Sequence, residues 1–397
     1  MLSRKNVEIE YLRGIAVVMT LLSHIPTLLP FYSDSMMKVF SVFWPWTGVD
    51  LFFCISAYVV SQAYLEYFDK HRSEGHFGLA AACFWIRRAY RLIPTSWLWV
   101  LISLLASVAF NQSNAFGSWI ENVRSFTAVA TFSGNLANLY DSRLGPNGHY
   151  WSLALEEQFY FIFPLFLLCI TSVRWRAISL FTVIALLFCL DRHPFGTPMS
   201  SFLNVFRLDA MLWGILLCLF TRTKLYSQIE PRSLSGNKLK SIAIMFFLFY
   251  MLGAIAGQLI IMPIAVGLIA VVALLIVWLA SYQSGYIYCP AFMQKSMLWL
   301  GSRSYALYVI HLFSNHLSIE IWTRITTSRG VPLDSSYTAE LVLTSVVSLV
   351  ILSELNYRYV ETPLRRKGIA VAQTLLSGSR TEQEVPQPQA SVPTKVS

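Results

Sequence analysis

The sequence has 397 residues, of which 55% are hydrophobic and only 13% are charged. Soluble domains are typically about one quarter charged, so this composition excludes an ordinary soluble protein and predicts an integral membrane protein. The net charge of +9 does not indicate nucleic-acid binding, because Lys and Arg accumulate in the cytoplasmic loops of membrane proteins. No basic stretch is interleaved with aromatic residues, as a nucleic-acid partner would favour.

Apolar stretches of about 20 residues can span a bilayer as helices, and the sequence contains ten of them. Their approximate limits are 11–29, 48–66, 92–110, 152–171, 175–190, 199–220, 241–259, 262–281, 297–320 and 339–359. When the N terminus is placed in the cytoplasm, most Lys and Arg residues fall in cytoplasmic loops, as the positive-inside rule requires. We therefore predict an all-α membrane protein with about ten transmembrane helices in one bundle and both termini in the cytoplasm.

Two segments fall outside this pattern. The outer loop of about 111–150 is too polar for another span, and it could hold a re-entrant or interfacial segment around 125–140. Residues 373–397 are rich in Gln, Pro, Ser, Thr and Glu, which predicts a disordered cytoplasmic tail. The transmembrane domain is accordingly predicted to comprise residues 1–372.

The first predicted helix carries two ionisable side chains, Arg13 and His24. Their spacing corresponds to three helical turns plus roughly 20°, so both lie on one face, about 16 Å apart along the axis. Ionisable residues inside a membrane are costly and are functional candidates. An arginine near the cytoplasmic end suits a phosphate, and a deep histidine suits proton transfer. The alternative is a snorkelling arginine beside a hydrogen-bonded packing histidine.

Three arginines, Arg87, Arg88 and Arg91, precede the third predicted span at the helix entrance. Their i,i+3 and i,i+4 spacings allow them to converge on one anion. Taken alone, they would be ordinary positive-inside anchors. With Arg13 on the same side of the membrane, they favour a phosphate-rich donor.

Two adjacent carboxylates, Glu156 and Glu157, lie near the outer start of the fourth predicted span. Adjacent helical positions differ by about 100°, so both side chains cannot face one partner. One of them could pair with an arginine or orient His24. The alternative is a structural buried ion pair, for example with Arg207.

Polar residues in other predicted spans are expected to support the structure and not to take part in the chemistry. Arg207 and Asp209 lie inside one span, whereas Asp50 is expected to lie close enough to the outer surface to remain solvated. A single stripe of the ninth span carries Ser304, Tyr308 and His311.

Several motifs are absent from the sequence. It contains no GxxxxGK[ST], no GxSxG and no HExxH, so hydrolysis by a serine triad or by zinc is unsupported. The six cysteines form no CxxC pair, so neither a disulfide framework nor a metal site is predicted.

Six segments together resemble the membrane acyltransferase-3 family, whose members O-acetylate bacterial lipopolysaccharide, capsule and other glycans. In chain order they are EYLRGIAVVMTLLSH (10–24), GVDLFFCISAYVVS (48–61), FWIRRAYRLIP (84–94), YWSLALEEQFYFIFP (150–164), SYALYVIHL (304–312) and YVETPLRR (359–366). The resemblance covers about residues 8–367. Ala57 departs from the family pattern, in which glycine is usual at this position.

The resemblance implies roles for the matched residues. His24 would be the catalytic histidine and Arg13 its essential companion. Arg88 and Arg91 would engage the cytoplasmic acyl donor, typically acetyl-CoA. The adjacent glutamates match the carboxylates of the family's WSLxxEEQFY segment, and the resemblance assigns them no definite task.

The expected function is transfer of an acyl group, by family habit acetyl, from cytoplasmic acyl-CoA to a hydroxyl of a surface glycan or lipid-linked glycan. O-antigen, capsule, exopolysaccharide, a signalling oligosaccharide and a macrolide all remain open as acceptors. His24 would act either as the general base or as a nucleophile that carries the acyl group. The alternative function is a transporter or flippase for a lipid-linked sugar or small metabolite.

The expected setting is the bacterial inner membrane, as a multi-pass protein in contact with lipid. Neither a metal nor a nucleic acid is expected as a partner. The oligomeric state stays open, and a homo-oligomer is one alternative.

Overall fold

The computed structural model describes residues 6–137, 144–190, 205–259 and 262–383. Of these residues, 82% are helical and none lies in a strand. The prediction of an all-α protein is therefore confirmed for the described part of the chain.

The helices with described limits are numbered here in chain order. They are α1 (Val7–Ser23), α2 (Ile25–Leu28), α3 (Ser33–Val42), α4 (Gly48–Ser73), α5 (Phe77–Ala109), α6 (Trp119–Ala130), α7 (Tyr150–Cys169), α8 (Val173–Cys189), α9 (Asp209–Phe220), α10 (Lys224–Gln228), α11 (Lys238–Gly257), α12 (Ala265–Ser281), α13 (Ala291–Ser328), α14 (Thr338–Asn356) and α15 (Thr362–Gln383). A π-helical turn, Tyr357–Glu361, joins α14 to α15.

Five described helical stretches are long and apolar enough to cross a membrane. They are Pro45–Ser73, Phe77–Ala109, Tyr150–Cys169, Lys238–Gly257 and Ser335–Ser377. Helices α9 and α12 are apolar but shorter. Helix α1 has only 17 residues, and charged side chains lower the hydropathy of α13. Part of the predicted span 199–220 lies outside the described residues. The number of ten membrane spans and the cytoplasmic location of both termini stay predictions.

Several helix limits differ from the predicted ones, and α1 ends at Ser23 instead of near residue 29. Helix α5 starts at Phe77, so the three arginines lie within the helix and not at its entrance. The cause is packing of its first half against α15, where a Cβ on Gly368 would lie 2.5 Å from Tyr90 Cβ. In the outer loop, α6 is closed at its start by a reciprocal capping box of Ser118 and Glu121. Helix α15 continues past residue 372, and residues 384–397 lie outside the described part.

Helix α1 ends at Ser23 because Pro26 follows closely. A proline within a helix removes one N–H and clashes with the carbonyl four residues earlier. The His24 N–H therefore bonds to the carbonyl of Leu21 at 3.2 Å, and the carbonyl of Thr20 is left for another donor. The break places the His24 ring at the end of α1, at the end of the bundle predicted to face outward.

Helix α1 packs between α4 and α13. Its contact with α13 is close because Gly301 faces the backbone of α1, where a Cβ would lie 2.1 Å from the carbonyl oxygen of Glu10. Gly214 of α9 makes a similar contact with α4, where a Cβ on Gly214 would lie 3.0 Å from Ala57 Cβ. Ala57 is fully buried, so this departure from the family's glycine is accommodated by a glycine on the facing helix.

Candidate active site

A cavity inside the bundle is enclosed by α1, α4, α5, α7 and α13. Its polar lining consists of Arg13, Ser56, Arg91, Ser152, Glu156, Ser304, Tyr305 and Tyr308. The structure therefore brings the predicted site residues Arg13, Arg91 and Glu156 around one cavity, together with Ser304 and Tyr308 of the polar stripe on α13. Ionisable groups at such a depth are expected to face the bundle interior or a cavity rather than lipid.

Arg13 lies where this cavity approaches a second one. The second cavity opens at the end where α1 begins, which is the predicted cytoplasmic end, and its polar lining includes Gln62 and Arg222. Arg13 is part of both linings. Its Nη1 donates to Glu10 Oε1 at 3.0 Å, and 17% of its side chain is exposed. The guanidinium is thus reachable from either cavity.

Glu156 is held by two hydroxyl groups. Ser56 Oγ and Tyr160 OH each donate to Glu156 Oε1 at 2.5 Å, and these two oxygens lie 2.6 Å apart. Hydrogen bonds to a charged acceptor are shorter and stronger than neutral ones. The Ser56 and Tyr160 side chains thus hold the Glu156 carboxylate in the wall of the central cavity, where Arg13 and Arg91 also lie.

Glu157 faces a different space. It lines a lateral cavity that also contains Arg88 and Gln158, and its Oε1 has no hydrogen-bond partner in the described part of the chain. The two adjacent glutamates thus face two cavities, in line with their 100° separation on the helix. The hydrogen-bond partners of His24 include neither carboxylate.

The three arginines of α5 are distributed over two cavities. Arg91 lines the central cavity and Arg88 the lateral one. The Arg88 guanidinium lies 4.8 Å from the ring centroid of Tyr160 and 5.5 Å from that of Tyr64, a cation–π arrangement. Arg87 belongs to neither lining. Of the three arginines of α5, only Arg91 shares the lining of the central cavity with Arg13.

One ring nitrogen of His24, Nε2, has no hydrogen-bond partner among the described residues. The other nitrogen, Nδ1, lies 2.9 Å from the carbonyl oxygen of Thr20, the group released by the end of α1. Nδ1 also lies 3.1 Å from Ser23 Oγ, and that hydroxyl donates to the same Thr20 carbonyl at 2.7 Å. Because a carbonyl can only accept a hydrogen bond, the contact of His24 with Thr20 requires the tautomer in which Nδ1 carries the proton and Nε2 keeps its lone pair. That tautomer is the one required of a general base or a nucleophile acting through Nε2.

Two further histidines lie near His24: His311 contacts its ring, and His149 contacts His311. The centroid of the His311 ring lies 4.8 Å from that of His24 and 5.0 Å from that of His149. His311 Nδ1 lies 2.6 Å from the carbonyl of Tyr308, and His149 Nε2 lies 3.2 Å from the carbonyl of Val309. The other nitrogen of each ring is buried without a hydrogen-bond partner among the described residues.

Tyr308 connects the central cavity to these histidines. Its hydroxyl lies 2.5 Å from Ser152 Oγ and donates to the carbonyl of His149 at 2.9 Å. Both hydroxyls line the cavity that contains Arg13. Sequence reasoning did not identify His149, although it directly precedes the YWSLALEEQFY segment, and it gave His311 a supporting role.

The buried ion pair near the outer end differs from the predicted one. Arg207 Nη2 lies 3.0 and 3.1 Å from the two carboxylate oxygens of Asp50. The expectation of a solvated Asp50 was wrong, since only 3% of the residue is exposed. Close packing of α9 on α4 and the ring of Trp46, 4.2 Å from the Arg207 guanidinium, enclose the pair. Arg207 therefore pairs with neither Glu156 nor Glu157.

No cluster of three or more His, Cys, Asp or Glu side chains suited to a metal ion occurs among the described residues.

These features define a class: a helical membrane protein with an internal cavity lined by two arginines and a glutamate. No histidine of the described part of the chain lines this cavity, and the histidine cluster at the end of α1 contacts it through Tyr308. Within that class, the chain matches the family model of an acyltransferase domain over residues 6–353. The chain belongs to this family, which confirms the resemblance to the acyltransferase-3 family.

Two curated relatives illustrate the similarity. The chain is 27% identical over 342 residues to the peptidoglycan O-acetyltransferase OatA of Listeria monocytogenes, covering 81% of this chain and 51% of the relative. It is 28% identical over 336 residues to the O-acetyltransferase OatA of Staphylococcus aureus, covering 81% and 53% respectively. The chain thus spans about half the length of these relatives. No solved structure is significantly similar to it.

Proposed function

We propose that this protein is a membrane O-acetyltransferase that moves an acetyl group from cytoplasmic acetyl-CoA to a hydroxyl of a glycan on the outer side of the membrane. Family membership supports acyl transfer, and the names of the relatives favour acetyl. One relative is named for peptidoglycan, an acceptor that the sequence analysis did not include. We therefore place peptidoglycan first among the acceptors, ahead of lipopolysaccharide and capsule.

The position of Arg13 carries this proposal. It lines both the cavity at the predicted cytoplasmic end and the central cavity. Arg91 joins it in the central cavity. Guanidinium groups bind phosphate oxygens through paired N–H donors, so these arginines would hold the phosphates of the acyl-CoA substrate. The slender pantetheine arm of acyl-CoA would then extend through the central cavity past Tyr308.

His24 would supply the reactive nitrogen. Its Nε2 lone pair is oriented by the hydrogen bond from Nδ1 to the Thr20 carbonyl. In this role it would either deprotonate the acceptor hydroxyl or take the acetyl group itself. Both routes require the thioester to reach His24 at the end of α1. Tyr308 supports such a route, because it lines the central cavity and also contacts His149 and His311.

The test is His24→Ala in cells that produce the native glycan, with His76→Ala as the matched control. His76 makes no side-chain capping bond at the start of α5, and no role is assigned to it. We expect His24→Ala to abolish glycan O-acetyl groups while glycan export continues, and His76→Ala to leave both unchanged. Lost export with normal acetylation of the remaining glycan would instead support the transporter alternative.

A second test separates donor binding from chemistry. Arg13→Lys keeps the positive charge but loses the bidentate fork. We expect KM for acetyl-CoA to rise about tenfold or more, equivalent to about 1.4 kcal/mol, with a smaller effect on kcat. An unchanged KM would contradict the assignment of Arg13 to the donor phosphates.

A further inference from the structure

The end of α1 holds more imidazole than a single catalytic histidine requires. His149 and His311 are 4% and 1% exposed, respectively. Each ring uses one nitrogen to donate to a backbone carbonyl, which fixes its tautomer. The remaining nitrogens, His149 Nδ1 and His311 Nε2, are buried lone pairs with no partner among the described residues. An unsatisfied buried polar atom is costly, so each is a candidate for contact with a substrate hydroxyl.

His311 is the better placed of the two. Its ring is in edge contact with that of His24, at 4.8 Å between centroids, and it lies between His24 and His149. Glu156 is the other acid–base group near the path, but its Oε1 already accepts hydrogen bonds from two hydroxyls. A proton released beside His24 would therefore meet the free nitrogen of His311 first.

We propose that His24 carries the acetyl group as an acyl-imidazole, and that His311 is the catalytic base that deprotonates the acceptor hydroxyl in the second half of the reaction. This inference rests on the proposed O-acetyltransferase function. It decides between the two roles that the sequence left open for His24. A histidine that bears the acetyl group on Nε2 cannot also accept a proton there, so the second step needs another base.

The first half-reaction joins His24 Nε2 to the carbonyl carbon of the thioester. The carbon–sulfur bond breaks, and CoA leaves as a thiolate with the electron pair. His24 keeps its Nδ1 proton, so the acylated ring carries a positive charge that faces the Thr20 carbonyl at 2.9 Å. That carbonyl dipole stabilises the charge.

The second half-reaction joins the acceptor oxygen to the same carbonyl carbon. The carbon–nitrogen bond breaks, and its electron pair returns to His24 Nε2. The hydroxyl proton passes to His311 Nε2, and His311 later releases it to water. The sum is an ester, a CoA thiolate and one proton, from an alcohol and a thioester.

The experiment uses inverted membrane vesicles that contain the protein and the native glycan. It measures two products, acetyl bound to the protein and acetyl bound to the glycan. Vesicles receive radiolabelled acetyl-CoA, and acid quenching at short times separates protein-bound from glycan-bound acetyl. The variants are His311→Gln, His311→Ala and His24→Ala, with His316→Gln as the control. His316 is a buried histidine of the same helix whose Nδ1 also has no hydrogen-bond partner among the described residues. Its ring contacts Phe116 at 5.9 Å between centroids and not His24, so this control tests whether contact with His24 is what distinguishes His311.

We expect His311→Gln to lower glycan acetylation at least about 100-fold, the lower range for loss of a general base. Protein-bound acetyl should rise above the wild-type level in this variant and be absent from His24→Ala. Added imidazole should restore part of the glycan label to His311→Ala, and His316→Gln should resemble the wild type.

Three results would overturn the inference. His311→Gln could acetylate the glycan at the wild-type rate. His311→Gln could lose both protein-bound and glycan-bound acetyl, and imidazole could fail to restore activity to His311→Ala. That combination would assign His311 a structural role. The wild type could label the glycan without any protein-bound acetyl, which would favour direct transfer. A wild type that never labels the glycan would instead refute the proposed function itself.

Discussion

Replacing Gly301 with alanine tests the contact that positions the two ends of the site. The added Cβ would lie 2.1 Å from the carbonyl oxygen of Glu10, whereas ordinary contacts begin at 3.4 Å. The clash is with backbone, so a rotamer change cannot relieve it. Helices α1 and α13 would have to separate by roughly 1 Å, because packed interiors leave no space to absorb the methyl group.

The separation would act on both catalytic ends at once, because α1 carries Arg13 and leads to His24, while α13 carries His311. Overpacking of this kind costs about 1–3 kcal/mol of folding stability. A misplacement of about 1 Å can cost about 100-fold in rate. We therefore expect Gly301→Ala to insert into the membrane, to melt at a lower temperature and to lose most O-acetylation.

The assay combines glycan O-acetyl content with thermal unfolding of the detergent-solubilised protein. Gly78→Ala is the matched control, because a Cβ at Gly78 meets nothing within 4 Å and alanine favours a helix by up to about 1 kcal/mol. Wild-type activity and stability in Gly301→Ala would refute the close α1–α13 contact and the reasoning built on it.

Two further predictions concern the polar contacts inside the bundle. Asp50→Ala leaves the buried Arg207 without its partner, and removal of one member of a buried pair costs about 3–5 kcal/mol. Thermal unfolding measures this, and a loss below 1 kcal/mol would contradict the buried pairing. Tyr160→Phe removes one of the two donors to Glu156, so we expect a stability loss of about 1.5–3 kcal/mol. Ser56→Ala should cost a similar amount, and the double variant should show non-additive coupling if the three groups form one network.

Composition and local spacing predict much of this protein. The scarcity of charge is sufficient for the all-α membrane class, since little else can satisfy backbone groups in lipid. The spacing of Arg13 and His24 predicts one continuous helix that carries both, whereas α1 ends at Ser23 and His24 is its C-cap residue. The 100° rule anticipates that Glu156 and Glu157 face different spaces.

What the sequence could not reveal depends on contacts between distant segments. Asp50 and Arg207 are 157 residues apart, and nothing in either segment indicates that they meet. The approach of His149 and His311 to His24 likewise needs α7, α13 and α1 to converge. The break at His24 was readable in principle from Pro26, but its effect on the ring is visible only once the freed Thr20 carbonyl is located.

The separation of Arg88 from Arg91 is a similar case. Their i,i+3 spacing permits a shared anion, yet the aromatic rings of Tyr64 and Tyr160 hold Arg88 on the lateral side of α5. Local spacing sets what neighbouring side chains can do, and packing from other helices decides which of those contacts forms.

The most direct measurement of the central claim is acetyl transfer across the membrane. Inverted vesicles present the cytoplasmic face to radiolabelled acetyl-CoA and enclose the glycan, so any ester formed on the enclosed glycan must receive its acetyl group through the protein. We predict base-labile label on the enclosed glycan with the wild-type protein and none with His24→Ala or Arg13→Ala, at equal protein levels. Label on the enclosed glycan at the wild-type level in either variant would contradict a path that joins these two residues.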